Sequence, residues 1–263
     1  MRIPPGEGSQ LRTRDPGDCL GLADKGSSAA TLAVHLDELS VMQNRLWAAS
    51  SHSLLVVLQG MDAAGKDGTI RRVLSGVNPQ GCRVASFKVP CDHEHDHDYL
   101  WRVHAACPAR GEIGIFNRSH YEDVVTTYVL GLIDDDTRER RFRHVCEFER
   151  MLHDEGTTII KVFLHISKEE QRERLQARLD DPEKRWKFRL DDLLTRDRWH
   201  DYQDAYEDAI DATSTDWAPW FVVPADHKWV RDVAVALLLT RTLSDLDLRA
   251  PQPAENLDGV VID

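Results

Sequence analysis

A short glycine-rich turn contains one acidic and one basic side chain that are candidates for chemistry. Residues 60–66 read Gly-Met-Asp-Ala-Ala-Gly-Lys and bring Asp62 and Lys66 into one turn. Glycine lets the backbone curl so that successive N–H groups point at an anion, and a lysine ammonium group can follow phosphoryl oxygens through a reaction. The apolar run 54–58 predicts a strand buried on both faces, and 66–74 predicts a helix. This order is the layout of a phosphate-binding P-loop, or Walker A motif.

The P-loop pattern predicts contacts to phosphate along the whole turn, where the start of the helix adds its partial positive charge. An ordinary strand-to-helix glycine turn would share this composition, but the agreement of strand, spacing, lysine and helix favours the phosphate site. We expect Asp62 and Lys66 to be catalytic. The expected phosphate- or nucleotide-binding positions in this stretch are Gly60, Ala63, Ala64, Gly65, Asp67, Gly68 and Thr69.

The position after Lys66 departs from most P-loops, in which Ser or Thr holds magnesium there. Asp67 occupies it in this sequence, and the residues available to replace the missing hydroxyl are Thr69 and Asp62. A carboxylate in a loop that wraps phosphates needs a cation between the two, because like charges repel at such short distances. We therefore assign Asp62 to the metal side of the site.

A second polar stretch follows the apolar segment 111–116. In P-loop enzymes, a second strand end near the phosphates commonly carries an acidic metal-binding residue; Asn117, a neutral oxygen ligand or hydrogen-bond partner, takes that place here. Arg118 is expected to be catalytic, because its planar fork can bond two oxygens of a transferred phosphoryl group. Glu122 is a candidate metal and phosphate-site residue, and Asp123 could add a further metal or water contact. The alternative is that Asn117, Arg118 and Ser119 merely cap the following helix.

A third stretch, 172–198, is strongly charged. Its helical pattern is broken at Pro182, and the basic residues that follow alternate with Trp186 and Phe188. We interpret about 178–200 as a mobile basic lid that closes on phosphates and excludes water. The alternative is a pair of solvated charged helices. The phosphate contacts expected from the lid are Arg178, Lys187 and Arg189.

The stretch 92–98 alternates Asp or Glu with His and superficially resembles a metal site. Adjacent residues in one short segment rarely converge on a single ion, so we expect a solvated loop that leads into a helix. Asp98 alone is kept as a candidate site residue.

Composition narrows the class of protein. The chain of 263 residues has 41% hydrophobic and 30% charged residues, which fits one soluble α/β domain. It contains neither an apolar run long enough to span a bilayer nor an N-terminal signal core. Five scattered cysteines indicate reduced thiols in a cytoplasm, and a net charge of −12 argues against a nucleic-acid binder. We expect a cytoplasmic protein without membrane or nucleic-acid partners.

Strands that alternate with helices predict a parallel sheet covered on both faces. Residues 1–28 are expected to form a flexible arm, 29–246 a single domain and 247–263 a tail. Ligands in such sheets bind at the carboxyl ends of the strands, which should gather the polar stretches at one mouth. The five expected strands are 54–58, 84–89, 111–116, 158–166 and 220–223, and the helices are 29–47, 66–74, 97–106, 121–130, 137–153, 168–179, 190–212 and 228–243.

Five segments together resemble the polyphosphate kinase type 2 family: GMDAAGKDGTI, FKVP, LWRVH, GEIGIFNRSHYEDVV and DDPEKRWKF. The resemblance runs from about residue 32 to residue 243. It implies a three-layer α/β/α core like that of thymidylate kinase, with a lid. It further implies magnesium-dependent phosphoryl transfer, with manganese as a substitute ion, between inorganic polyphosphate and a nucleotide. By position, Asp62 and Lys66 match the loop's metal and phosphate residues, and Arg118 and Arg178 match the arginines of the second motif and the lid.

Asn117 stands where many members of that family have Asp. The Asn form is similar to the branch that phosphorylates both AMP and ADP, and it shifts metal binding toward Asp62 and Glu122. The resemblance implies polyphosphate, AMP, ADP and ATP as substrates, and we expect a homo-oligomer. Two alternatives remain open: a P-loop nucleotide kinase that uses ATP as donor, and an inactive module that only binds polyphosphate.

Overall fold

Six strands form one sheet, in a computed structural model that describes residues 1–249, 251, 255 and 262. The strands are β1 Arg2–Ile3, β2 Ser53–Gln59, β3 Cys82–Ser86, β4 Ile113–Asn117, β5 Thr157–His165 and β6 Trp220–Pro224. Their order across the sheet is β1-β6-β5-β2-β4-β3, and all neighbours are parallel except β1 with β6. The predicted parallel α/β sheet is confirmed, with one short antiparallel strand more than expected.

Two groups of helices cover the sheet, and every residue of β2 is buried between them. The α-helices are α1 Lys25–Ala49, α2 Lys66–Val73, α3 Asp92–His95, α4 Trp101–Ala106, α5 Thr126–Val129, α6 Asp135–Asp154, α7 Lys168–Asp180, α8 Asp191–Asp197, α9 Trp199–Thr213 and α10 Lys228–Ser244. Helix α10 contacts α1 and α2, whereas α9 contacts α6 and places Tyr206 4.8 Å from the ring centroid of Phe163 on β5. Alternate residues of the strands therefore face two separate helical layers.

The N-terminal segment is packed, which differs from the loose arm expected from its Gly, Pro and Ser content. Strand β1 pairs with β6, and the side chains of Ile3 and Leu11 are buried. The Ser214 hydroxyl also donates to the Ile3 carbonyl over 2.6 Å. Two apolar side chains are enough to anchor this segment, but they are too few to produce a periodic signal in the sequence. The domain division at residue 28 stays a prediction.

Of the expected helices, one is shorter than predicted and two are divided. The predicted helix 97–106 is ordered only as α4, and 121–130 divides into a 3-10 turn, His120–Asp123, followed by α5. The predicted helix 190–212 is interrupted at Arg198, which leaves α8 as a separate short element. None of the described helices has the length and apolar character needed to cross a bilayer. The expected tail, 247–263, lies largely outside the described residues.

Candidate active site

The P-loop connects β2 to α2 through backbone angles that favour glycine. Gly60 has a φ of 151° and Gly65 a φ of 105°. A Cβ atom on Gly60 would lie 2.8 Å from the Leu164 carbonyl oxygen, and one on Gly65 would lie 2.0 Å from Nη1 of Arg231. Both glycines are therefore required by conformation and by space, and the curled loop predicted from the sequence is present.

Lys66 is buried at the start of α2, and its ammonium group points into the loop. Nζ donates to the carbonyl of Gly60 over 2.7 Å and to that of Met61 over 3.4 Å. Burial lowers the pKa of Lys66 to about 8, and the nearby charge of Arg118 acts in the same direction. A bound phosphate would favour the charged form and raise that pKa.

Arg118 follows β4 and joins the two predicted motifs. Nη2 donates to Oδ1 of Asp62 over 2.6 Å, and Nη1 donates to Oε2 of Glu122 over 3.4 Å. The carboxylate of Glu122, with that of Asp62, raises the pKa of the Arg118 guanidinium above its usual range. The structure thus brings Asp62, Lys66, Arg118 and Glu122 together, as their positions in the sequence predicted.

Two further side chains contact Glu122 in addition to Arg118. The Thr126 hydroxyl donates to its Oε2 over 2.7 Å. The Gln59 amide, in the orientation that satisfies both of its ends, donates to Oε1 of Glu122 over 3.0 Å and accepts from the Ser119 hydroxyl over 3.1 Å. Ser119 also accepts from the amide N–H of Tyr121 and so caps the next turn, the capping role considered for this stretch.

Two further predicted residues meet each other rather than the centre of the loop. Nδ2 of Asn117 donates to Oδ1 of Asp67 over 2.7 Å, so the end of β4 is tied to the first turn of α2. Thr69 is buried, and its hydroxyl donates to the Gly65 carbonyl over 3.1 Å. Of the two residues considered for the missing hydroxyl, Asp62 is the one that faces Arg118 at the mouth.

Of the three basic residues predicted to bind phosphate from the lid, Arg178 lies close to an acidic side chain. Nη1 of Arg178 lies 3.9 Å from Oδ2 of Asp192 on α8. Lys187 and Arg189 are exposed, and the Lys187 ammonium group lies 5.1 Å from the ring centroid of the exposed Trp186. These two basic side chains point to solvent in this conformation, so their predicted phosphate contacts would need the lid to move.

A model of the family described as "Polyphosphate kinase 2 (PPK2)" matches residues 23–251 of this chain. The chain belongs to the polyphosphate kinase 2 family.

Individual PPK2 relatives are similar over nearly the whole length. The chain is 52% identical to the AMP/ADP-polyphosphate phosphotransferase of Meiothermus ruber, over 100% of this chain and 98% of that protein. It is 44% identical to the ADP-polyphosphate phosphotransferase of Rhodopseudomonas palustris, over 84% and 81%. The crystal structure of polyphosphate kinase 2 from Arthrobacter aurescens superposes with a TM-score of 0.94 at 43% identity, covering 97% of this chain and 91% of that one.

In this PPK2 chain an arginine that sequence reasoning did not assign holds the back of the P-loop. Nη1 of Arg174 on α7 donates to the carbonyls of Ala63 and Ala64 over 3.0 and 2.9 Å. Its Nη2 donates to the carbonyls of Ala225 and Asp226, just after β6. The sequence placed Arg174 on a charged helix, but no pattern in it indicated which face turns toward the loop.

A buried charge network supports the second PPK2 motif from below. Nζ of Lys161 on β5 donates to Oε2 of Glu149 over 2.6 Å and to the Tyr121 hydroxyl over 3.0 Å. The ring of His120 lies 3.3 Å from the other carboxylate oxygen of Glu149. Lys161, Glu149 and His120 are all 0% exposed. The network fixes the residues that directly follow Arg118, and a lone lysine in an apolar strand was its only sequence signal.

The His- and Asp-rich stretch does not form a metal site among the described residues, which contain no group of three or more metal-binding side chains. The His97 ring stacks on Trp101 with centroids 4.1 Å apart. Asp98 is exposed and accepts from the N–H of Leu100, at the start of α4. The loop expected over 92–98 is instead a short helix without buried residues, α3, followed by a turn that leads into α4.

Proposed function

We propose that this chain transfers a phosphoryl group between inorganic polyphosphate and a nucleoside mono- or diphosphate, and so converts AMP to ADP and ADP to ATP. The observation that carries the proposal is the meeting of Asp62, Lys66 and Arg118 at one P-loop mouth in a PPK2 chain. The name of the Meiothermus ruber relative, an AMP/ADP-polyphosphate phosphotransferase, supports both acceptors.

The donor set fits a divalent cation, and we assign magnesium, with manganese as a substitute. One guanidinium group contacts both Asp62 and Glu122 through different nitrogens, so the two carboxylates lie next to the same cationic group. Magnesium in phosphoryl-transfer sites is bound by one or two carboxylates, with phosphate oxygens and water supplying the rest. Asp62 and Glu122 would hold the ion, which would neutralise charge on the reacting phosphates.

The reaction requires this chain to position charge, with no covalent enzyme intermediate. The terminal phosphorus–oxygen bond of polyphosphate breaks while a bond forms to a phosphate oxygen of the acceptor. That oxygen is already anionic, so no strong general base is needed. The loop N–H groups and Lys66 hold the donor chain, and Arg118 stabilises the equatorial oxygens as the charge shifts. Arg178 and the exposed lid bases Lys187 and Arg189 would add positive charge and exclude water on closure.

The direct test is a substrate panel with the purified chain. Polyphosphate and magnesium are incubated with AMP, ADP, GMP or GDP, and the nucleotides are then separated. We expect AMP and ADP to be phosphorylated, no product with EDTA, and a rate lowered about a hundredfold or more with Lys66→Met. Phosphorylation with ATP alone as donor would instead identify an ATP-dependent kinase, and polyphosphate retention without any transfer would identify a binding module.

We also propose that the chain works in the cytoplasm as a homo-oligomer. All five cysteines are free thiols, which supports a reducing compartment. Leu130 and Leu132, after α5, are 53% and 70% exposed and offer an apolar patch for self-association. Light scattering coupled to size exclusion tests the second part: a mass of one chain at micromolar concentration would contradict it.

A further inference from the structure

Gln171 on α7 is fully buried, and both ends of its side-chain amide are hydrogen-bonded. Nε2 donates to the backbone carbonyl of Asp62 over 3.0 Å. Oε1 accepts from Nη1 of Arg196 on α8 over 3.1 Å. One side chain therefore connects the catalytic loop to the first helix of the lid region.

The orientation of the Gln171 amide is determined by the hydrogen-bonding groups of its two partners. An arginine guanidinium offers only donors and a backbone carbonyl only accepts. The reversed amide would place its NH₂ group against Arg196 and its oxygen against the carbonyl of Asp62, and both contacts would be repulsive. Gln171 has one satisfactory orientation, and that orientation needs both partners.

The lid end of the connection is anchored to the same helix. Nη1 of Arg196 also donates to the carbonyl of Lys168 over 2.6 Å, in the first turn of α7. When α8 leaves, Arg196 leaves with it, and the buried Oε1 of Gln171 loses its partner. An unpaired buried acceptor is unfavourable, so lid docking and the order of the Gln171 amide are linked.

At the P-loop, the hydrogen bond from Gln171 contacts Asp62, the residue assigned to the metal side of the site. The carbonyl of Asp62 faces Gln171 while its carboxylate faces Arg118 over 2.6 Å. The next residue, Ala63, has a φ of 62°, a conformation that an alanine adopts only when neighbours hold it. The hydrogen bond from Gln171 restricts rotation of the Asp62 peptide and hence the direction of its carboxylate.

We propose that Gln171 is a positioning residue that couples docking of α8 to the orientation of Asp62. The inference rests on the proposed phosphoryl transfer, in which Asp62 acts. With α8 docked through Arg196, Gln171 holds Asp62 in its working orientation; with α8 released, Asp62 loses that restraint.

The test compares Gln171→Met, Arg196→Met and the double variant, with Gln176→Met as the matched control. Gln176 lies on the same helix, is exposed, and donates to Asp180. Replacing Gln171 with Met keeps the length of the side chain and removes its hydrogen bonds to Asp62 and Arg196. We expect each single variant to lower kcat about tenfold or more, with little change in KM. We expect the double variant to be no worse than the poorer single, because both act on one connection, and Gln176→Met to stay within about twofold.

Gln171→Glu separates coupling from simple destabilisation. Its carboxylate still accepts from Arg196 but has no proton for the Asp62 carbonyl, so the lid should stay docked while kcat falls. Docking is measured as the rate at which trypsin cleaves residues 184–198 without substrate. We expect fast cleavage in Arg196→Met and slow cleavage in Gln171→Glu. Additive effects in the double variant, or normal kcat in Gln171→Glu, would overturn the proposal.

Trypsin cleavage can be measured without catalysis, so it tests the coupling through Gln171 separately from the proposed phosphoryl transfer. An inactive wild type would contradict the proposed function alone. Equal cleavage of wild type and Arg196→Met would overturn the coupling whatever the activity, and both variants are checked for folding by thermal melting.

Discussion

The guanidinium group of Arg118 donates to the carboxylate of Asp62 over 2.6 Å, although 56 residues separate them in the chain. They meet because β2 and β4 are parallel neighbours with Leu58 opposite Asn117, so the two strands end at the same edge. Arg118 adopts a φ of 62° there, and its N–H donates to the Leu58 carbonyl over 3.1 Å. One ion pair thus joins the two motifs on which the proposed chemistry depends.

Arg118→Lys should lower kcat about a hundredfold or more. A lysine keeps the charge but cannot contact Asp62 and Glu122 with one planar fork, nor bond two phosphoryl oxygens in that geometry. Steady-state rates with polyphosphate and ADP measure the effect, and circular dichroism confirms the fold. Turnover close to that of the unmodified chain would show that Arg118 only caps the following turn.

The value of kcat/KM should fall as pH rises through about 8, the pKa of Lys66 in the free protein. Below that pH the ammonium group is charged and can hold phosphate; above it the amine is neutral. Because kcat/KM reports the free enzyme and bound phosphate favours the charged form, kcat itself should fall only at higher pH.

Lys66→Arg is the control for this pH dependence, since a guanidinium group stays charged throughout the range. Its rate should be low but without the decline near pH 8. A flat wild-type profile of kcat/KM from about pH 7 to pH 9.5 would mean that the Lys66 charge does not limit the reaction.

Gly65→Ala should destabilise the chain more than Gly131→Ala does. Both positions have positive φ, 105° and 71°, but an added Cβ meets nothing within 4 Å at Gly131 and lies 2.0 Å from Arg231 Nη1 at Gly65. Gly131→Ala should cost about 1 kcal/mol for conformation alone, and Gly65→Ala about 1–3 kcal/mol more for the displaced arginine. Urea unfolding of both variants provides the measurement; equal costs would mean that Arg231 moves away freely.

Lys161→Met should lower the free energy of unfolding by about 3–5 kcal/mol, because it removes the ammonium group that pairs with the fully buried carboxylate of Glu149. The control is Asp154→Asn, which removes an ion pair whose side chains are 50% and 57% exposed. That change should cost less than about 1 kcal/mol. If the two losses of unfolding free energy are similar, the buried network is not holding the second motif in place.

The P-loop was predictable because its constraints are local. The buried strand, the two glycines and Lys66 lie in one short segment, and the geometry of parallel strands brings Arg118 to them. Local patterns therefore predicted which residues share the mouth of the site.

The contacts that were not predictable depend on which way a helix is rotated and on pairs far apart in the chain. Arg174 and Gln171 lie on a helix whose charged pattern does not reveal its inner face. Strand β1 is two residues long, so no periodicity marks it. Arg198, with a φ of −96° and a ψ of 28°, separates α8 from α9, although no proline or glycine in the expected long helix marks the break.

The most direct test follows the phosphorus atom from polyphosphate labelled with ³²P, in wild type, Asp62→Ala, Lys66→Ala and the exposed control Asp96→Ala. With ADP and magnesium, we expect label in the terminal phosphate of ATP for wild type and control. We expect about a hundredfold less or lower still for the two loop variants, with their folds intact. Label that reaches ATP at the wild-type rate in Asp62→Ala or Lys66→Ala, or no label in ATP from wild type, would contradict the proposed function.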